Sequence, residues 1–184
     1  FEVETAIKVY LKPSSEKKVI ITSNALKYVS VKNKNGKLAI SYDSPKGLTN
    51  VNTEITIYTN DLKKISAESA SKIFLEDGFQ FTDLELDISS ASQMQGKIKA
   101  QNLKAEITSA SKFDAELDVH QLDIEAKSAA KVNLSGKARI LNIEATSAAK
   151  VNAEKLQYES IKIDHSSLGK VLTLNANSLN IKMI

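Results

Sequence analysis

Apolar and polar residues alternate along most of the chain, with the period of two that is typical of a β-strand. In one clear stretch Leu122, Ile124 and Ala126 point to one side, and the charged residues between them point to the other. No segment shows the sustained i, i+3, i+4 apolar stripe of an amphipathic helix. The pattern therefore predicts an all-β protein.

One short motif recurs at a nearly constant interval through the second part of the chain. Its clearest copies read KSAAKVNLSGK from Lys127 and TSAAKVNAEKL from Thr146. The first serine of the motif occurs six times, at Ser69, Ser90, Ser109, Ser128, Ser147 and Ser167. A repeat of about 20 residues is typical of a solenoid, in which each repeat packs on the next.

The pattern inside each repeat distinguishes between kinds of solenoid. Leucine-rich repeats have a similar length but need a helical return, whereas here the period of two persists. We therefore expect each repeat, of about 19 residues, to form one coil of a β-helix from two or three short strands, with successive coils paired in parallel about 4.8 Å apart. The SAAK motif is the predicted corner, because its residues are small and the serine hydroxyl can hydrogen bond to a corner amide.

In residues 1–60 apolar and polar residues also alternate, but the SAAK repeat is absent. Ile7, Val9 and Leu11 share one face of a predicted strand, and Asn35-Gly36 is a strong signal for a type I′ turn between two hairpin strands. A solenoid needs a cap because its open end presents unpaired strand edges. This part is thus predicted to form either wider, less regular coils or an antiparallel β cap.

No linker rich in Gly, Pro or Ser interrupts the chain. We therefore predict a single β-helix domain over residues 1–184, with the irregular coils or cap in residues 1–60 and the regular coils in residues 61–184. No leader-like segment opens the chain at Phe1, so any signal peptide is expected to lie before it.

Composition and charge argue against several classes of partner. The 25 basic and 22 acidic residues are interleaved, the formal net charge is +3, and Arg139 is the only arginine. Nucleic-acid binders concentrate basic residues on one face and favour arginine, so we expect no nucleic-acid partner. The absence of cysteine excludes disulfides and thiolate metal sites, and no apolar run reaches the roughly 20 residues of a membrane span.

Several segments resemble, in order, those of a known family. FEVETAIKVYLKP, the KNGKLAISY hairpin, ITIYTNDLKKISAESASK and the serial SASK coils are similar to the putative auto-transporter adhesin, head GIN domain family, also named DUF2807. The resemblance covers essentially the whole chain. It implies a right-handed parallel β-helix in an exported protein of Bacteroidetes-type bacteria, periplasmic or at the cell surface, with a lipid anchor before residue 1. The resemblance brings no catalytic residues.

Stacked coils would align the lysines that follow each corner into one outward row, which we call the lysine ridge. Its members are Lys72, Lys112, Lys131, Lys150 and Lys170, and Gln93 interrupts the row. Such a ridge is suited to bind an anionic glycan or a phospholipid surface. The alternative is a solvated row that keeps the solenoid soluble and protects its edges.

A second row, the acidic column, would stack five carboxylates: Asp87, Glu106, Glu125, Glu144 and Asp164. Unit charges about 5 Å apart repel by roughly 1 kcal/mol in water, so this column needs partners. One hypothesis is a divalent metal site at Glu106, Glu125 and Glu144, since calcium favours several carboxylate oxygens. The alternative is neutralisation by lysines of adjacent columns, namely Lys104, Lys127 and Lys162.

Two further features invite a functional interpretation. The longest repeat contains EDGFQFTD, where two extra residues predict a loop or bulge, with Phe79 or Phe81 either exposed as a ligand contact or packed in the core. His120 and His165 lie in different coils and phases, so they offer no paired metal spacing. His165 replaces an inward alanine of the repeat and is predicted to be a hydrogen-bonded structural residue.

These observations predict a non-catalytic, exported module of the cell envelope that binds a glycan, a surface protein or a second copy of itself, with no cofactor. A membrane would be reached only through the lipid anchor. One alternative is a polysaccharide-active β-helix enzyme that uses carboxylate pairs of the acidic column, although the chain has no Trp and a single arginine. The other alternative is a structural or stress-sensing scaffold of the envelope.

Overall fold

The predicted β-solenoid is confirmed. The structure, a computed structural model, describes residues 1–3, 6–44, 48–173 and 179–183. All its strands belong to one 15-stranded sheet. The described residues contain no α-helix and only one 3₁₀ turn, Leu26–Tyr28. The strands are β1 (Glu2–Val3), β2 (Lys8–Lys12), β3 (Lys18–Ser23), β4 (Val29–Lys34), β5 (Lys37–Tyr42), β6 (Thr53–Tyr58), β7 (Lys64–Ala67), β8 (Lys72–Leu75), β9 (Gln80–Ile88), β10 (Gln93–Ile107), β11 (Lys112–Ala126), β12 (Lys131–Ala145), β13 (Lys150–His165), β14 (Lys170–Leu172) and β15 (Leu179–Met183).

The regular coils are formed by β9 to β13, which pair in parallel in chain order. The register follows the sequence repeat: Leu103 pairs with Leu122, and Leu122 with Leu141. Each coil therefore lies on its predecessor with a shift of one repeat. The predicted regular region extends to residue 184, but residues 174–178 and 184 lie outside the described residues. In the part of the chain described, no helix is long and apolar enough to cross a bilayer.

The core runs through the coils as ladders of like residues. Leu122 and Leu141 are completely buried, and Ile124 and Ile143 are nearly so. Burying one such side chain contributes about 1.5–3 kcal/mol relative to exposure, and the parallel register repeats that gain in every coil. The strict alternation breaks at a second corner, where neither Arg139 nor Ile140 is buried between the buried Ala138 and Leu141. Three residues before Arg139, Gly136 has φ +94°, and a Cβ there would meet the Leu117 carbonyl oxygen at 2.2 Å. Glycine is thus required there.

The SAAK motif forms the predicted corner. At the corner before β12, Ser128 and Ala129 have φ values of 51° and 62°, and the Ala130 amide donates to the Lys127 carbonyl at 3.1 Å. Two left-handed residues closed by this hydrogen bond are the signature of a type I′ turn. The Ala129 amide then donates to the Ser147 carbonyl of the next coil at 2.9 Å.

The same turn recurs at every copy of the motif. Backbone carbonyls accept the hydrogen bonds of the corner amides. The expectation that a serine hydroxyl accepts these hydrogen bonds is therefore wrong. The small residue after the two left-handed turn residues points into the core, as Ser111 and Ala130 do. Small size matters at this position because the chain reverses around it.

The N-terminal part combines both predicted arrangements. β1 lies in parallel between β5 and β7, and β2 lies in parallel between β6 and β8, as strands of the solenoid. β3 pairs with β6, and β4 with β5, in antiparallel fashion. The turn between β4 and β5 has positive φ at Asn35 and Gly36, as the type I′ signal predicts. The antiparallel strands therefore cap the parallel coils.

Candidate functional site

The lysine ridge exists as a row on one face of the solenoid. The pairing register aligns Lys72 with Gln93, Gln93 with Lys112, and then Lys131, Lys150 and Lys170 on successive strands. Lys8 of β2 extends the row beyond Lys72. The sequence repeat could not reveal Lys8, because β2 lies far before the first corner motif and joins the row only through folding.

The ridge lysines differ in their ion pairing. Lys112 lies 2.5 Å from a carboxylate oxygen of Asp114. The corresponding residues in the next two coils are Asn133 and Asn152, and neither Lys131 nor Lys150 forms a salt bridge within the described residues. Both lysines are exposed. Lys72 and Lys170 likewise form no salt bridge within the described residues, so Lys8, with Glu54, and Lys112 are the ion-paired members of the row there.

A row of mostly neutral polar side chains runs beside the lysine ridge. This polar row comprises Gln95, Asp114, Asn133 and Asn152, aligned by the strand register. The Asn133 amide donates to the Asp114 carboxylate at 2.6 Å. A groove of about 500 Å³ follows the row. Its amides offer both donors and acceptors, which suits a ligand rich in hydroxyl groups.

Two aromatic rings continue the polar row toward the N-terminal end. Tyr10 is in register with Phe74, and Phe74 with Gln95. The two rings stack, with centroids 4.9 Å apart and planes 16° from parallel. Beside them a Lys12–Glu76 ion pair of 2.7 Å raises the pKa of Lys12. This pair arises because β2 inserts beside β8.

The acidic column is also in register, from Asp87 on β9 to Asp164 on β13. Two predicted lysine partners are confirmed: Lys127 bonds Glu125, and Lys162 lies 3.1 Å from Asp164. The bond to Glu125 raises the pKa of the Lys127 ammonium.

The third predicted partner, Lys104, forms no salt bridge within the residues described, whereas Lys64 lies 3.8 Å from Asp87. A shallow groove of about 220 Å³ follows the column. Across residues 1–3, 6–44, 48–173 and 179–183, no three His, Asp or Glu side chains cluster in a way that could hold a metal ion. The metal site at Glu106, Glu125 and Glu144 stays a prediction.

The two phenylalanines of the longest repeat are not exposed. Residues 76–79 lie opposite only two residues of β10, so the two extra residues form a turn at the predicted place. Phe79 and Phe81 are 4% and 8% exposed, and their rings stack at 5.5 Å. The expectation of an exposed ring is wrong, because strand alternation continues through the turn and directs both rings into the core.

The two histidines take no part in the lysine ridge or the acidic column. His120 is exposed on β11, and His165 occupies the inward register position of Ala145 while remaining partly exposed. No hydrogen bond joins the His165 side chain to the described residues, so the predicted hydrogen-bonded role is not supported.

A further groove, of about 770 Å³, opens between β3, β5 and β7 at the N-terminal end. Its lining includes the apolar side chains of Val19, Leu38 and Leu62 together with several lysines. Several of these cations are neutralised, as in the 3.3 Å Lys17–Asp61 pair and the 2.7 Å Lys37–Glu2 pair. The aligned, uncompensated charge therefore lies on the lysine ridge rather than here.

Solved structures of other proteins share the fold. A putative adhesin from Bacteroides fragilis NCTC 9343 is 18% identical with a TM-score of 0.60, over 100% of this chain and 90% of that one. A putative lipid binding protein from Parabacteroides distasonis ATCC 8503 is 13% identical with a TM-score of 0.71, over 99% and 90% of the two chains. At such identities the similarity establishes the fold alone.

No curated protein sequence matches this chain. A family-level match does exist, and it covers residues 1–183. It agrees with the segments that carry the resemblance, from the first strand through the serial corners. The chain therefore belongs to the family described as putative auto-transporter adhesin, head GIN domain.

Proposed function

We propose that this protein is a non-catalytic, exported binding module of the cell surface, and that its lysine ridge binds an anionic glycan. The observation that carries the proposal is the pair of exposed lysines, Lys131 and Lys150, that stand in register without a carboxylate partner among the described residues. Membership of an adhesin-type family supports a binding role at the surface.

The physical argument rests on repetition. Each coil presents one lysine at a step of about 4.8 Å, so a ligand with regularly spaced anionic groups can engage several cations at once. A single exposed ion pair contributes about 0–1 kcal/mol, which makes one contact too weak to matter. Several contacts on one rigid frame add up, because after the first contact the others form within one molecule.

The enzymatic alternative has less support. Arg139 is engaged at 2.8 Å by Glu159, both of them exposed, so the single arginine is not held over the acidic column. The acidic residues of that column are partly bonded to lysines rather than directed into an enclosed cleft. A scaffold role would use the same solenoid, but it would not require the unpartnered lysines.

The test combines binding and turnover. We expect the protein to bind polygalacturonate at low salt, to lose affinity as ionic strength rises because exposed charges are screened, and to release no reducing sugar. Vesicles containing anionic phospholipid serve as the comparison. Preference for vesicles over the polysaccharide, or absence of binding to any polyanion, would overturn the proposal. Turnover abolished by Glu125→Gln would establish the enzyme instead.

A further inference from the structure

We infer that the groove between β3, β5 and β7 binds one fatty acid, with the acyl chain against its apolar side chains and the carboxylate among its lysines. The groove has a volume of about 770 Å³, and small-molecule sites usually measure about 300–1,000 Å³. This inference goes beyond the proposed function, because it concerns the cap at the N-terminal end of the solenoid and not the lysine ridge.

The apolar lining of this groove is an open end of the hydrophobic core. Val19 is in register with Ile57, which is 4% exposed, so both side chains lie on the core side of their strands. Leu38 lies two residues before the buried Ile40 on β5, and its side chain points to the same side. Val19 is nevertheless 37% exposed. The core side of the cap therefore keeps apolar surface in contact with water.

Two further apolar side chains extend this lining. Phe1 and Leu62 both line the groove, and both are partly buried and packed against the core. An acyl chain laid over these side chains would remove their surface and its own methylene groups from water. Each CH₂ that is buried strengthens binding by about fourfold. The lining thus favours a long unbranched chain over a small polar ligand.

Positive charge adjoins the apolar surface. Among the described residues that line the groove, five are lysines and Asp61 is the only acid. Lys63 forms no salt bridge within the described residues. Lys17 lies 3.3 Å from Asp61, but the two side chains are 73% and 69% exposed. Such an exposed pair is weak, so Lys17 can exchange Asp61 for the carboxylate of a ligand. The groove therefore favours an anionic head group.

The charge also distinguishes a fatty acid from other occupants. A dimer that joined two caps face to face would bring the lysines of both copies together, and like charges across an interface repel. The lysines of the groove come from three separate segments, 17–18, 37 and 63–64, and do not form a row on successive coils. They are therefore suited to one head group rather than to a repeating polymer.

The test uses soluble probes, each kept below its micelle concentration. Dodecanoate has the chain and the carboxylate, dodecyltrimethylammonium has the same chain with the opposite charge, and acetate has the carboxylate without the chain. Calorimetry at physiological ionic strength measures the affinities. We expect dodecanoate to bind at least about tenfold more tightly than dodecyltrimethylammonium, and acetate to show no measurable binding. Octanoate should bind about twofold to fourfold more weakly for each CH₂ that it lacks.

A pair of lysine variants locates the head group. Lys17→Gln/Lys63→Gln should weaken dodecanoate binding by about threefold to tenfold, since it removes two exposed cations of the groove. The matched control is Lys32→Gln/Lys34→Gln, which removes the same charge from β4 at positions that do not line the groove. This control should change the affinity by less than about twofold, because salt screens distant charges.

A pair of variants on β3 locates the acyl chain. Val19→Thr keeps the branched shape of the side chain but makes the groove more polar, and it should weaken dodecanoate binding by about twofold to fivefold. Ile20→Thr is the control, because Ile20 is 42% exposed and points to the opposite face of the same strand. The control should bind dodecanoate as the wild type does, and thermal melting shows whether both variants are folded.

Several results would overturn the fatty-acid site: no binding of dodecanoate, equal affinity for dodecyltrimethylammonium, no dependence on chain length, or equal losses in the groove variants and their controls. Binding to vesicles of anionic phospholipid without binding of monomeric dodecanoate would also overturn it, and would indicate a membrane-docking surface instead. Because the ridge lysines Lys131 and Lys150 take no part in this groove, such results would leave the proposed glycan binding unaffected.

Discussion

Lys131 and Lys150 stand in register on β12 and β13, and neither is neutralised within the described residues, whereas Lys112 one coil earlier bonds Asp114 at 2.5 Å. Lysines aligned on adjacent strands repel each other. A row that keeps such repulsion without nearby acids is suited to receive charge from a ligand. This relationship is the basis for the first prediction.

Replacing both lysines, as Lys131→Gln/Lys150→Gln, should weaken polygalacturonate binding by about threefold to thirtyfold, since each exposed ion pair contributes up to about 1 kcal/mol. The melting temperature should stay within a few degrees, because removing like charges in register costs little. Calorimetry at two salt concentrations measures the affinity. Lys99→Gln/Lys137→Gln, which removes the same charge elsewhere on the coils, is the control, and an equal loss in that variant would show that only net charge matters.

The coil is expected to be the unit of deletion. Removing residues 122–140 deletes one whole repeat and joins Gln121 to Leu141, which occupies the next position of the Leu122 ladder. That variant should remain a folded β protein. Removing residues 122–131 breaks the repeat partway through a coil and displaces every later ladder from its register, so that variant should unfold. Circular dichroism and thermal melting compare the two, and equal tolerance of both deletions would refute the phase argument.

A charge in the core ladder should be far more costly than one lost from the surface. Ile124 is 3% exposed, so Ile124→Asp buries an unpaired carboxylate and should lower the free energy of unfolding by several kcal/mol. Asp118→Asn, at an exposed position of the same strand, should change it by less than about 0.5 kcal/mol. Urea denaturation of both variants measures the difference. Similar midpoints would mean that the inward and outward assignment is wrong.

The corners hold non-glycine residues in left-handed backbone conformations. Ala129 has φ 62°, which strains the backbone of an alanine but not of a glycine. In a glycine variant, the relief of this strain offsets the flexibility that glycine adds to the unfolded chain. Ala129→Gly should therefore leave stability unchanged or raise it by up to about 1 kcal/mol. Ala138→Gly, in a buried strand position, should destabilise by about 1–2 kcal/mol. Thermal melting decides, and equal destabilisation by the two changes would argue against a strained corner.

The ion pair between Lys64 and Glu85 predicts a dependence on pH. The hydrogen bond from Lys64, at 2.7 Å, lowers the pKa of Glu85 below its usual value of 4.5. Because the folded pKa is the lower one, the pair stabilises the protein above the unfolded pKa, and this contribution is lost as pH falls through the folded pKa. Both groups are about half exposed, so the contribution is under about 1 kcal/mol. Glu85→Gln should melt slightly below the wild type at neutral pH and together with it well below the folded pKa; a constant difference would contradict the assignment.

The sequence alone is enough to predict the coil, its corners, the lysine ridge and the acidic column. Alternation of Leu122, Ile124 and the residues between them requires a strand, and a repeat of nearly constant length requires that each coil lie on the one before it. The lysine and acid columns then follow from the numbering alone. The type of the hairpin turn at Asn35-Gly36 could also be predicted, because it depends on those two residues. These features depend on short-range sterics and on a repeat, both of which can be read along one chain.

The contacts beside each row depend instead on how distant segments fold together. Tyr10 meets Phe74 because β2 inserts between β6 and β8, a contact between segments that no repeat relates. Phe79 and Phe81 turn inward because the two extra residues form a tight turn that preserves the alternation of the strand. Packing between distant segments selects such contacts by shape and charge, and the local pattern carries no information about either.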